Sequence, residues 1–124
     1  MRYESRCWLI NTGWVGGPYG VGKRISIQYT RALLNGALSG KLEHVPYTRD
    51  PVFGFQVPQS CPGVPEQVLN PAAAWPSFES YIKRYRSLAA RFIDNFKKFS
   101  DEASPEILAA GPVLTDLTAD KMAL

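Results

Sequence analysis

At 124 residues the chain has room for one domain at most, and a hydrophobic fraction of 45% excludes wholesale disorder. Fourteen Lys and Arg against eleven Asp and Glu give a formal charge of +3, spread too evenly along the chain to call for nucleic acid. Ten glycines and ten prolines point to long connections between few regular elements, as in a piece of a larger α/β domain.

The start, MRYESRCWLI, carries Glu4 and has no secretory hydrophobic core, and no apolar run is long enough to span a bilayer; a cytoplasmic protein is expected. Residues Cys7–Thr12 are short and apolar and end at Gly13, which predicts a buried strand. A glycine-rich loop follows. GPYGVGKR at Gly17–Arg24 nearly matches the phosphate-loop pattern G-x-x-x-x-G-K-S/T, but Arg24 stands where the magnesium-binding hydroxyl belongs. The loop is therefore either an impaired phosphate cradle or a strand-to-helix turn whose glycines allow positive φ or close approach, and the missing hydroxyl favours the turn. Ser26 suits an N-cap, and Leu33, Leu34, Ala37 and Leu38 form an apolar stripe, so a helix is predicted over Ile27–Ser39 with Gly40 closing it. Strand, glycine loop and helix start in this order make a nucleotide the first ligand to consider, because unpaired amides and the helix dipole favour anions there.

Residues Val45–Gln59 read as one or two strands at a sheet edge, since Pro46, Pro51 and Pro58 each remove a ladder donor. SCPGVP is a turn, and Glu66–Leu69 a helical turn before Pro71. The longest predicted element is an amphipathic helix over Ser77–Phe99. Its face holds Phe78, Tyr81, Tyr85, Leu88, Phe92, Phe96 and Phe99 and needs a packing partner, expected from a sheet outside this stretch. Lys97 and Lys98 fall in its last turn, where the dipole favours cations. The tail, residues 113–124, is expected to be mobile.

Arg24, just before the proposed cap, and Thr30, in the first helical turns, are the residues placed to converge on a ligand at the helix start. Lys23 reads as a solvated lysine. His44 is the sole histidine and no pair of Asp or Glu suggests acid–base work, so no metal site or acid–base pair is complete, and no catalytic or metal-binding residue is assigned. Cys7 and Cys61 form no redox or metal motif, and Cys61 reads as a packed, inert thiol. Lys83, Arg84, Arg86, Arg91, Lys97 and Lys98 give the long helix a solvated basic side that could serve a subunit or an acidic partner.

Several motifs in order carry a resemblance: NTGW at Asn11–Trp14, GGPYGVGKRISI at Gly16–Ile27, YTRALLNGAL at Tyr29–Leu38, VPQSCPGVP at Val57–Pro65, VLNP at Val68–Pro71 and SPEILAAGP at Ser104–Pro112. Together they resemble the C-terminal part of ATP-dependent phosphoenolpyruvate carboxykinase. The resemblance implies an α/β (mixed α+β) fold, with residues 1–112 as an incomplete part of that family's nucleotide-binding domain. It implies the gluconeogenic reaction of oxaloacetate and ATP to phosphoenolpyruvate, ADP and carbon dioxide. It also carries over a role for Arg24, Ile25 (through its backbone) and Thr30 at the nucleoside end of ATP. The family's phosphate loop, its magnesium and manganese ligands and its oxaloacetate-binding residues lie upstream of the matching stretch, so the chain alone is expected to be inactive. No membrane partner is implied, and a homo-oligomer stays open. The rival readings are a small nucleotide-binding module, which would need Gly17–Arg24 to cradle phosphate, and a basic interaction module acting through the long helix.

Overall fold

Two short antiparallel hairpins and a series of helices make up residues 5–114, the part of the chain described by the computed structural model. The architecture is mixed α/β. The strand predicted over Cys7–Thr12 is absent: Trp8 and Leu9 are exposed and the segment has no ladder partner, without which extended backbone gains no pairing. The first strand instead begins at Trp14. β1 (Trp14–Val15) pairs with β2 (Lys23–Arg24) in the register Trp14↔Arg24 and Val15↔Lys23. The glycine loop is thus the tip of a hairpin, and the predicted strand–loop–helix becomes hairpin, cap and helix.

Helix α1 (Ile27–Leu38) starts as the sequence requires. Ser26 is extended, its Oγ accepts from Tyr29 N at 3.2 Å, and Gly40 lies just past the end at φ 75°. Its packing face differs from the predicted stripe. Tyr29, Ala32, Leu33 and Ala37 lie against a buried cluster of Leu42, Cys61 and Val64, while Leu34 and Leu38 face solvent. The reason is Gly36, on the same face: a Cβ there would sit 3.2 Å from both Cys61 Sγ and Leu42 Cγ, so its absence lets them approach the helix.

A 3₁₀ turn at Lys41–His44 leads into β3 (Tyr47–Arg49), which pairs with β4 (Gln56–Pro58). The proline-punctuated region therefore yields two strands, with Gln59 N donating to Pro46 O at 2.9 Å beyond the last pair. Asp50 organises the connecting loop. Its Oδ1 accepts from Val52 N at 3.0 Å, from Phe53 N at 2.6 Å and from the hydroxyl of Tyr85. SCPGVP turns as expected, with Val64 N donating to Cys61 O at 3.1 Å.

The helical turn α2 (Glu66–Leu69) falls where predicted, followed by an unpredicted α3 (Pro71–Ala74) with proline at its first position. Helix α4 (Phe78–Phe96) is capped by Ser77 Oγ, which accepts from Ser80 N at 3.2 Å. It ends three residues early because Lys97–Glu102 tightens into 3₁₀ geometry. Lys97 therefore lies past the last α turn and pairs with Asp94 at 3.0 Å. Part of its aromatic face finds a partner within the chain itself: Tyr81, Tyr85 and Ala89 bury against Val52 and Ala72, with Phe53, Trp75 and Ile82 packed around them. A short α5 (Pro105–Ala109) follows, with Ser104 Oγ accepting from Ile107 N. Val113 N then donates to Val52 O at 2.9 Å, tying this end to the hairpin loop. Apart from Val113 and Leu114, the expected mobile tail lies outside the described residues.

This core makes stability sensitive to alkali. Burial, then the nearby Asp50 charge, pushes the Tyr81 hydroxyl up to about 12 from its ordinary 10.0. Burial raises Tyr85 as well, and its hydrogen bond to Asp50 adds to this. Above pH 10 the unfolded chain loses tyrosine protons that the folded chain keeps, so stability falls as pH rises. For Tyr81 the loss reaches about 2–3 kcal/mol by pH 12, at roughly 1.4 kcal/mol per pH unit. Urea melts at pH 8, 10 and 11 should show no loss before the last two. A midpoint that rises across this range would contradict the arrangement.

Candidate functional site

The corner where β2 enters α1 carries all three residues singled out from sequence. Arg24 lies on β2 with an exposed side chain, and its guanidinium carbon sits 5.9 Å from the centre of the Trp14 ring, the cross-strand neighbour, in cation–π range. Trp14 in turn meets Tyr19 edge-to-face at 5.2 Å, and both rings are open to solvent. Ile25 N donates to Gly13 O at 3.1 Å, so its amide is used by the fold and its carbonyl is the backbone group left for a ligand. After Ser26 comes α1, in which Thr30 is half-buried and its N–H donates to Ser26 O at 3.1 Å. The corner thus presents a cation, exposed aromatic faces and a helix start, which suits a flat, hydrogen-bonding ring system.

It does not suit a phosphate cradle. A phosphate loop points free amides inward, whereas here Val21 N and Gly22 N both donate to Pro18 O, at 3.0 and 2.9 Å. Lys23 lies on β2, exposed, and not at a helix start. A cleft of about 450 Å³ runs between Gly16–Pro18 and the Lys83–Arg84 face of α4, but Arg24, Ile25 and Thr30 do not line it.

His44 is exposed in the 3₁₀ turn, and Cys61 is buried, its thiol pushed up by burial and away from nucleophilic use. Among the described residues no group of three His, Cys, Asp or Glu could hold a metal, and no helix is long and apolar enough to cross a membrane. Sequence reasoning missed Trp14 and Tyr19 as members of the corner. NTGW and GPYG contain them, but only the hairpin register puts Trp14 beside Arg24.

Residues 1–67 match the family model for phosphoenolpyruvate carboxykinase. The chain belongs to the phosphoenolpyruvate carboxykinase family. It is 55% identical over 113 residues to phosphoenolpyruvate carboxykinase (ATP) of Dictyostelium discoideum, a match covering 91% of this chain and 20% of that protein. It is 52% identical over 111 residues to the phosphoenolpyruvate carboxykinase (ATP) of Thermus thermophilus, covering 90% of this chain and 21% of the relative. The counterpart in Caldanaerobacter subterraneus is 50% identical over the same length. The chain spans about a fifth of the length of these curated carboxykinase relatives. It contributes a hairpin, a capped helix and an aromatic core to the carboxykinase family, not a complete copy of its relatives' length.

Proposed function

We propose that this chain forms the nucleoside side of the ATP site in an ATP-dependent phosphoenolpyruvate carboxykinase. Residues 1–112 would be part of that enzyme's nucleotide-binding domain. The observation that carries the reading is the Arg24 guanidinium held over Trp14 at the exposed entry to α1, in a chain about half identical to carboxykinases named for ATP. Arg24 would cover one side of the base, the Ile25 carbonyl would accept from an exocyclic amine, and Thr30 would orient the nucleoside through its hydroxyl. The full enzyme would work in the cytoplasm. It would bind oxaloacetate, magnesium and manganese through residues beyond these 124, the metals supplying charge stabilisation at the reacting groups. The corner's own task is to bind and orient ATP, not to touch the reacting atoms.

The test uses a chimera in which this chain replaces the 111 matched residues of the Thermus thermophilus relative. Losing a hydrogen bond costs about 0.5–1.5 kcal/mol when neutral and about 1.5–3 kcal/mol when charged. Arg24→Ala should therefore weaken ATP binding roughly ten- to a hundredfold and Thr30→Val less than tenfold, with the KM for oxaloacetate nearly unmoved. Calorimetric titration with ATP reads the first two effects. Wild-type ATP affinity in both variants would refute the assignment, and a collapse of oxaloacetate affinity would put the corner at the other end of the site.

A further inference from the structure

A cavity of about 440 Å³ lies between the β3–β4 hairpin and the turn from α2 into α3, with Tyr81 of α4 on its wall. Arg24, Ile25 and Thr30 do not line it, so it is separate from the corner proposed for the nucleoside. Two groups on its lining have hydrogen-bonding capacity that the fold leaves unused. Tyr81 keeps only 9% of its surface, yet its hydroxyl makes no hydrogen bond among the described residues, where a buried tyrosine ordinarily finds a partner. Nor is that hydroxyl sealed in: among the described residues no polar side-chain atom is both fully enclosed and unpartnered, so it opens onto the cavity that Tyr81 lines. Asp50 is the second group. Its Oδ1 takes all three of its hydrogen bonds, and Oδ2 accepts none among the described residues.

Charge and shape select the occupant. Asp50 and Glu66 bring two carboxylates to the lining against one guanidinium, that of the exposed Arg49, so the cavity favours a cation. An inorganic ion needs more oxygen ligands than two carboxylates supply, and it would leave the apolar wall at Val57 and Leu69 unused. We infer that the cavity binds a small monocationic amine with an apolar body, of the arylalkylamine class. Its ammonium donates to Asp50 Oδ2, to the Glu66 carboxylate and to the Tyr81 hydroxyl oxygen, and its hydrocarbon part lies on Val57 and Leu69. Because the walls come from both segments, an occupant ties the hairpin to the α2–α3 turn and stabilises the folded chain.

Calorimetric titration of phenethylamine into the chain and into the chimera tests this, with phenethyl alcohol and hydrocinnamate as neutral and anionic probes of similar shape. The amine should bind with a Kd of about 0.1–1 mM and raise the melting temperature. The alcohol should bind at least roughly tenfold more weakly and the acid not measurably. Glu66→Gln should weaken the amine roughly five- to tenfold and Tyr81→Phe about threefold, the latter without lowering the melting temperature, since the lost hydroxyl held no bond in the fold. Equal affinity for amine and alcohol, or tighter binding of the acid, would overturn the inference. So would no saturation by about 10 mM amine, or binding to the chain that vanishes in the chimera. Saturating ATP should leave the amine bound to the chimera; displacement would put the amine at the nucleoside corner and refute the separate site.

Discussion

Asp50→Ala should cost this fold about 2–4 kcal/mol, enough to threaten a chain with so small a core. One carboxylate oxygen receives two loop amides and the hydroxyl of a tyrosine 35 residues away on α4. Alanine would release the 50–53 loop and strand the Tyr85 hydroxyl where it is buried, and an unsatisfied buried group costs more than the bond it lost. Asp50→Asn keeps an acceptor at the same place and should lose less. Tyr85→Phe removes only one of the three bonds and should cost about 1–2 kcal/mol. Urea midpoints followed by near-UV circular dichroism, which reports the Tyr81–Tyr85 stack, give the ranking Ala worse than Asn and Phe. If Asp50→Ala melts with the wild type, the loop is held by something else.

Gly22→Ala should break the hairpin. A Cβ at this position would lie 2.3 Å from Gly17 O and 2.9 Å from Val15 O, both backbone atoms, so no side chain can swing aside to make room. Relief requires the 17–22 loop to open, at roughly 2–4 kcal/mol of local stability. Gly20 is the control. Its φ of 89° is left-handed, but nothing lies within 4 Å of its missing Cβ, so Gly20→Ala should cost only the backbone strain of about 1–2 kcal/mol. Amide chemical shifts of residues 14–25 should move widely in the first variant and locally in the second. Because the hairpin sets Arg24 over Trp14, Gly22→Ala in the chimera should also weaken ATP binding by more than Thr30→Val. Undisturbed shifts around Trp14 would show that the loop yields more easily than its geometry implies.

The elements legible in the sequence are those whose signal is local. Ser26 is a cap with the helix pattern directly behind it, the aromatic period marks the second helix from Ser77 onward, and both helices start next to those serines. The Cys7–Thr12 run shows the limit of that reasoning: apolarity says a segment could be buried in a sheet, not that a neighbouring strand is there. β1 was illegible because two residues carry no period, and α5 because five residues hide a real Ser-Pro start. At the candidate site, Arg24 and Thr30 could be placed near a helix start from spacing alone. The ring beside Arg24 could not, since Trp14 reaches it only through cross-strand register. Asp50 was equally hidden, because its partner on α4 is distant in the chain and near only in space.

The two buried clusters do not merge: one gathers around α4 and the 50–53 loop, the other around α1 and the 61–64 turn. In a protein divided this way each part can open locally at its own free energy. Two segments join them: the β3–β4 hairpin, with Val52 at its loop in the first cluster and the Tyr47 hydroxyl donating to Leu42 O in the second, and the α2–α3 segment, with Leu69 packed on the second and Ala72 buried in the first. Ordering of α1 by a ligand would therefore reach the α4 half by two short routes, the six paired residues of that hairpin and the turn from α2 into α3, and loosening either one would weaken that communication.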